Sequence, residues 1–244
     1  MKKNLKISII TVTKNSEKFL EENIESLAKQ TYRNFEHIII DGVSTDRTLE
    51  IIKRNSGRIT KWSSEPDQSL YYAMNKGLNL CSGDVIGILN SDDIYFPEAL
   101  ATVNKYFINN KIDFLFGSVF KHKLMHGFFP KKIYWTFGFY TTHSVGFFIK
   151  KTAQDKIGPY NTKYKWSADY DLFYKMIVKN KMKGVATKKT EIFGRFRPGG
   201  MSSKIKYIDF LKENSQIRID NGQNKFIVLS IFILRLLRNF TRLF

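Results

Sequence analysis

The sequence predicts an α/β fold with a mostly parallel central sheet flanked by helices, and three observations predict it. Short β-branched or apolar runs recur at residues 6–13, 35–40 and 85–89. Stretches with apolar residues at helical spacing lie between them, and this alternation of strand and helix is the rhythm of parallel strands joined by crossovers. Each run also ends abruptly in polar residues: Lys14-Asn15-Ser16, Asp41-Gly42 and Asn90-Ser91-Asp92-Asp93. In open sheets of this kind ligands sit in the crevice beyond the carboxyl ends of the strands.

Taken in order, residues 6–13 form a β-branched first strand. Ser16 is placed to cap a helix over 17–29, whose apolar stripe is Phe19, Leu20, Ile24 and Leu27. After the strand 35–40, Ser44 or Thr45 caps a helix through Leu49, Ile51 and Ile52. A short strand at 60–63 and a polar turn, Ser64-Glu65-Pro66-Asp67-Gln68-Ser69, lead to a helix through Tyr72, Ala73, Met74 and Leu78. Gly77 reads as an interruption of that helix, Cys81 as a small packed side chain, and Gly83 as the turn into the strand 85–89. A helix at 97–107 and a strand at 114–119 follow, and then the character changes. Residues 128–148 are crowded with Phe, Tyr and Trp, a pattern of core packing with faces that also suit an acceptor sugar. His143 and Ser144 precede an apolar strand at 145–149, and His143 is read as structural. A helix beginning near 166 buries Leu172, Phe173 and Met176 and carries Asp169 in its first turn.

With 43% apolar residues in 244, the chain suffices for one large or two small domains with a substantial core, which excludes global disorder. A single cysteine excludes an internal disulfide framework and fits a reducing cytoplasm. The basic start, Met1-Lys2-Lys3, runs directly into a strand without a cleavage site, so no signal peptide is expected. The net charge is +18, and residues 172–244 hold sixteen Lys and Arg against four Asp and Glu. Such a surplus suits nucleic acid, an anionic membrane or a phosphorylated substrate. No nucleic-acid-binding module is readable, so no nucleic-acid partner is expected. Residues 226–234 are apolar apart from Ser230, followed by Arg235, Arg238 and Arg242. The run falls short of the roughly 20 residues needed to span a bilayer and suits an in-plane basic amphipathic helix. The division expected is 1–222 for the catalytic domain, with halves 1–120 and 121–222, and 223–244 for that helix.

The polar strand ends each admit two readings. Asn90-Ser91-Asp92-Asp93 either binds a hard cation such as Mg²⁺ or Mn²⁺ together with substrate phosphates, or caps the next helix. Asp41 either bonds a ribose or base edge, or forms an Asx-turn with Gly42 at positive φ. Asp169 either complements its helix dipole or acts as a general base. Arg195 and Arg197, beside Gly199-Gly200, either close on a diphosphate or line a solvated face. Neither a Gly-x-Gly-x-x-Gly nor a Gly-x-x-x-x-Gly-Lys loop follows a strand, which removes the main support for dinucleotide and P-loop readings.

Several segments taken together resemble the bacterial inverting glycosyltransferases of family 2. They are Ser8-Ile9-Ile10-Thr11-Val12-Thr13-Lys14-Asn15, Gln30-Thr31-Tyr32, Ile39-Ile40-Asp41-Gly42-Val43-Ser44-Thr45-Asp46, Ser64-Glu65-Pro66-Asp67 with Ala73-Met74-Asn75-Lys76-Gly77, the 83–93 stretch, Ala168-Asp169-Tyr170-Asp171, and Phe196-Arg197-Pro198-Gly199-Gly200. The resemblance implies a GT-A (nucleotide-diphosphosugar transferase) fold, a nucleotide-diphosphosugar donor and a divalent cation. It implies a lipid-linked or glycan acceptor in surface polysaccharide assembly, at the cytoplasmic face of the membrane. Donor-binding residues implied are Thr11, Asn15, Asp41, Asn90, Ser91 and Arg197, with Asp92 on the metal and Asp169 as base. Three departures stand out: Asn90 where an acid is common, Asp41-Gly42 where Asp-Asp is common, and Ala168 where Glu is common. On this reading Asp41, Asp92 and Asp169 converge on one cleft.

Overall fold

The computed structural model describes residues 4–200 and 205–240. Met201, Ser202 and Ser203 of the basic loop, and Arg242, lie outside the described residues. The first half runs β1 (Ile7–Thr13), α1 (Leu20–Ala28), β2 (Phe35–Asp41), α2 (Thr48–Arg54), β3 (Lys61–Ser64), α3 (Leu70–Leu80), β4 (Val85–Ile88), β5 (Ile94–Tyr95) and α4 (Ala99–Asn109). The second half runs β6 (Phe114–Phe116), β7 (Ser118–Phe120), β8 (Leu124–Met125), β9 (Phe147–Lys150), α5 (Lys151–Ile157), α6 (Ala168–Tyr174), β10 (Gly184–Ala186), β11 (Ile192–Arg195), α7 (Tyr207–Asp220) and α8 (Lys225–Arg238).

Among the described residues the main sheet has the order β10-β6-β9-β4-β1-β2-β3, and a smaller sheet has the order β5-β11-β7-β8. The pairs of β1 with β2 and β4, of β2 with β3, and of β6 with β10 are parallel, as the alternation of strand and helix predicts. β9 runs antiparallel to both β4 and β6. Successive residues of β1 point to opposite faces. Ile10 and Val12 pack with α3 and α6 residues such as Met74 and Phe173, and Ile7 and Ile9 pack with Leu100, Val103 and Phe107 of α4. The aromatic stretch of the second half is largely core: the Phe116 ring has Phe128, Tyr140, Phe147 and Phe173 within 5.7 Å of centroid separation.

Several local expectations are corrected. The strand 114–119 breaks at Gly117 into β6 and β7, which belong to different sheets. A Cβ at Gly117 would stand 2.1 Å from the Phe193 ring, so the chain crosses over there where no side chain fits. Gly77 does not interrupt α3. It lets the helix lie against β1, where a Cβ would stand 2.4 Å from Ile10 Cγ2. Ser16 does not cap α1, which begins at Leu20; its hydroxyl meets Ser91 Oγ at 2.8 Å. Neither Ser44 nor Thr45 caps α2. Asp46 accepts from Thr48 N at 3.0 Å, and Ser44 is committed to Asp41.

Candidate active site

The Asn90–Asp93 turn at the end of β4 is held from α1. Asn23, fully buried, donates its amide to the carbonyls of Asn90 and Asp93, both at 2.9 Å. Further along α1, Ser26 accepts from Tyr95 N, and Gln30 donates to the Phe96 carbonyl. This buried polar stripe went unread in the sequence, where only the apolar stripe was visible. Within the turn the two acids diverge. Asp93 is buried and accepts from Ser144 Oγ and Arg197 N, both at 2.9 Å, so it ties the turn to the chain before β9 and to the loop after β11. Burial, with the Asp92 charge next to it, pushes its carboxyl up to about 7. Asp92 is half-buried, and burial raises its pKa too. Among the described residues no other side chain donates to its carboxylate. Asn90 Oδ1 is buried and likewise has no hydrogen-bond partner. Neither Asp92 nor Asp93 caps α4.

Asp169 occupies the first turn of α6. Tyr71 and Tyr140 hydroxyls each lie 3.3 Å from one of its carboxylate oxygens, and Tyr170 N donates to Oδ1 at 2.9 Å. Tyr71 also reaches the Trp166 carbonyl at 3.0 Å, which fixes its ring over the helix start. Burial, then the Asp169 charge, holds both phenols well above the usual tyrosine range, so they remain donors to the carboxylate. His143 stands nearby with Nε2 at 2.8 Å from Tyr160 Oη, packed among Phe147, Tyr160 and Phe173. Burial lowers its pKa, against the Asp169 charge, which raises it.

A cleft of about 1300 Å³ joins these parts. Asn90, His143, Ser144, Tyr71, Tyr140 and Asp169 line one stretch of it, and Thr136, Phe137, Arg235 and Arg238 line another. The expected convergence of Asp41, Asp92 and Asp169 is therefore not met: Asn90 of the 90–93 turn lines the cleft with Asp169, whereas Asp92 and Asp41 do not. Asp41 is fully buried, accepting from Ser44 N at 3.0 Å, Ser44 Oγ and Ser64 Oγ at 2.7 Å, and it does not line the cleft. This is the Asx-turn reading, with positive φ falling on Val43 (58°) rather than Gly42.

Four other expected donor contacts are committed elsewhere, Ser91 among them through its bond with Ser16 Oγ at 2.8 Å. Thr11 points toward α1, fully buried, with its hydroxyl 2.9 Å from His37 Nε2. Asn15, at φ 51°, accepts from Thr45 N at 2.8 Å and joins the β1 and β2 loops. Arg197 donates to Glu22 at 2.6 Å and to the Asp92 carbonyl at 3.1 Å, and its guanidinium stacks 4.2 Å over Phe19. It clamps the turn to α1 instead of reaching into the cleft. Sequence reasoning passed over two unpartnered groups, neither of which lines the cleft. Thr13 Oγ1 and the Asp67 carboxylate are buried without hydrogen-bond partners, although Asp67 forms an ion pair with Lys76 at 2.9 Å. The signal was available: Thr13, Asp41 and Ser64 stand in register at the carboxyl ends of β1, β2 and β3.

A parallel-rich sheet with an acidic turn at the end of β4 and a carboxylate across the cleft defines the class of GT-A nucleotide-sugar transferase folds. The fold of S. aureus TarS 1–349, solved in complex with UDP-GlcNAc, superposes with a TM-score of 0.74 at 20% identity, covering 97% of this chain and 73% of that one. The model of glycosyl transferase family 2 matches residues 8–176, and the chain belongs to that family. A Mycobacterium bovis PGL/p-HBAD biosynthesis glycosyltransferase is 30% identical over 188 residues, spanning 67% of this chain and 66% of the relative's length. The Escherichia coli UDP-Glc:alpha-D-GlcNAc-diphosphoundecaprenol beta-1,3-glucosyltransferase WfgD is 32% identical over 113 residues, covering 46% of this chain and 45% of its own.

Proposed function

We propose that this chain transfers a sugar from a nucleoside-diphosphate sugar to an acceptor hydroxyl in a single inverting displacement, with Asp169 as the base. The observation that carries this is the Asp169 carboxylate, oriented by two phenols and a helix start in the cleft that also receives Asn90. Asp169 accepts the proton of the acceptor hydroxyl as that oxygen bonds to the anomeric carbon. The bond from the anomeric carbon to the phosphate oxygen breaks, and its electron pair leaves with the nucleoside diphosphate. One displacement without a covalent intermediate inverts the configuration.

Asp92 and Asn90 fit a divalent cation. A half-buried carboxylate to which no other described side chain donates, two residues from an orphaned Oδ1, suits Mg²⁺ or Mn²⁺, which bind through one or two protein oxygens together with substrate phosphates. Among the described residues these two join no cluster of three or more His, Cys, Asp or Glu. An ion held by Asp92 and Asn90 would offset the charge gathering on the leaving diphosphate. We assign to Thr13 and Asp67, whose buried oxygens lack hydrogen-bond partners although neither residue lines the cleft, the nucleoside-binding part that the resemblance gave to Thr11 and Asp41. Residues 1–120 are the donor half and 121–222 the acceptor half.

The acceptor we assign is a lipid-linked glycan met at the inner face of the cell membrane. Among the described residues no helix is long and apolar enough to cross a membrane. α8 nonetheless exposes Phe226, Ile227, Leu229, Ile233, Leu234 and Leu237, an outer face suited to lying among lipid headgroups. Arg235 plays another part than the one expected, because it is buried against the domain, whereas Arg238 is exposed. The relative WfgD, by its name, uses a diphosphoundecaprenol acceptor.

Asp169→Asn is expected to lower transfer by about 10³-fold, within the range general-base catalysis supplies, while donor binding followed by calorimetry stays unchanged. Turnover retained in that variant would sink the assignment.

A further inference from the structure

The geometry points to an anion subsite at the α8 end of the cleft, where Arg235 and Arg238, with Lys132 and Lys206 beside them, bind the diphosphate of a lipid-linked acceptor. This rests on the transferase reading and deepens it by locating the acceptor's charged group. The cleft is lined by Lys121, Lys132, Lys165, Lys206, Arg235 and Arg238, whereas Asp169 is its single carboxylate among the described residues. Three of the lysines rest on ring faces instead of on acids: Lys121 on Phe196 at 4.7 Å, Lys132 on Phe129 at 4.4 Å and Lys165 on Trp166 at 4.6 Å.

Arg235 is the telling residue. It is 8% exposed, with its guanidinium 5.6 Å from the Phe137 and Phe210 rings, and one arm donates to Thr136 Oγ1. Its Nε–H is buried without an acceptor. Arg238 stacks on the same Phe137 ring at 5.1 Å. Among the described residues neither arginine meets a carboxylate. A buried guanidinium without a counter-charge is unfavourable, and an incoming anion relieves it. The planar fork of arginine matches phosphate oxygens, and two adjacent forks match two phosphates.

Placement distinguishes this anion from the donor's diphosphate, which belongs at the Asn90–Asp92 end. Thr136, at Arg235, and Tyr140, at Asp169, are four residues apart, so the chain between them spans at most about 14 Å. That gap is of a size a short saccharide bridges. The glycan hydroxyl then faces Asp169 and the diphosphate faces Arg235 and Arg238. The lipid leaves alongside α8, whose outer face is apolar, with Phe226 80% and Leu237 69% exposed.

Calorimetry on the full chain in excess chelator, with inorganic diphosphate, farnesyl diphosphate and farnesol as probes, tests this. Farnesyl diphosphate is expected to bind the wild type at least tenfold more tightly than inorganic diphosphate. Arg238→Ala, at an exposed position, and Arg235→Lys, which keeps the charge and loses the fork, are each expected to weaken both diphosphates about tenfold and leave farnesol unchanged. Unchanged diphosphate binding in both variants, or an equal loss for farnesol, overturns the subsite. Inorganic diphosphate binding as tightly as farnesyl diphosphate overturns the lipid assignment. Hydrolysis of a panel of nucleotide sugars separates the two readings: its absence in the wild type sinks the transferase, whereas hydrolysis intact alongside unaltered diphosphate binding in the variants sinks the subsite alone.

Discussion

The two ends of the cleft are opposites in what they leave unsatisfied. At the strand ends of the first half, most polar side chains find each other: Asp41 with Ser44 and Ser64, Asp93 with Ser144 and the Arg197 backbone, Ser16 with Ser91. What remains over is oxygen, on Thr13, Asp67 and Asn90. At the α8 end, what remains over is cationic nitrogen. Buried polar groups are ordinarily paired. On the proposed reading, the leftovers mark where ligands complete the protein, a cation with donor atoms at one end and an anion at the other.

The comparison breaks most visibly at Asp92 and Asp93. Asp92→Asn is expected to raise the Mn²⁺ concentration for half-maximal activity by 10-fold or more, in keeping with loss of a carboxylate ligand. Asp93→Ala is expected to leave that concentration unchanged and to lower stability by about 2 kcal/mol, because Ser144 and Arg197 N lose their acceptor. Metal titration of activity and urea unfolding read the two effects separately. Equal metal sensitivity in both variants would erase the distinction drawn between the acids.

A second test asks whether the first half is as self-satisfied as described. Glu36 is 2% exposed and accepts from Ser8, from Ser82 and from Lys6. Burial alone would raise its pKa, but these donors prevail and hold it at about 2. Its folded pKa thus lies below the unfolded carboxylate range. The stability it gives is complete above about pH 4.5 and fades as the pH falls toward 2. Glu36→Ala is expected to cost about 3 kcal/mol at pH 7 and progressively less in acid, followed by urea unfolding at several pH values. His37 acts on the same limb. Burial brings it down to about 3, so below about pH 6.5 the unfolded chain takes up a proton that the folded chain refuses, and stability falls on acidification. His37→Gln should flatten the slope between pH 6.5 and 4.5.

The smallest effect on the fold belongs to the outer face of α8. Leu234→Ser with Leu237→Ser is expected to change stability by less than about 0.5 kcal/mol per site. The same pair is expected to abolish sedimentation with anionic vesicles, and vesicle binding that survives it would remove the membrane role.

Much of the fold was legible because continuous β-branched runs such as Ile7–Thr13 and the apolar stripes of α1 and α3 carry their periods openly. The position of Asp169 in the first turn of α6 was equally plain. Direction was not: an apolar run such as 145–149 reads the same whether its strand pairs parallel or antiparallel. The difference between two threonines on the same face of β1 was also missed. Thr11 and Thr13 sit on one strand, yet Thr11 is spent on His37, and Thr13, at the strand's end, is left open. Asn23, Ser26 and Gln30 resemble a solvated helix face in one dimension, and become a buried anchor only when the 90–97 segment comes to lie against them.

The antiparallel placement of β9 constrains how the chain can be divided. β9 is the shared neighbour of β4 and β6, although some sixty residues separate it from β4 along the chain. A fragment stopping at 120 would present two naked strand edges, Val85–Ile88 and Phe114–Phe116, both ready to pair with another molecule. The two halves of the chain are thus stitched through β9 in one sheet and through the β5–β11 pair in the other, so they are not separable as polypeptides.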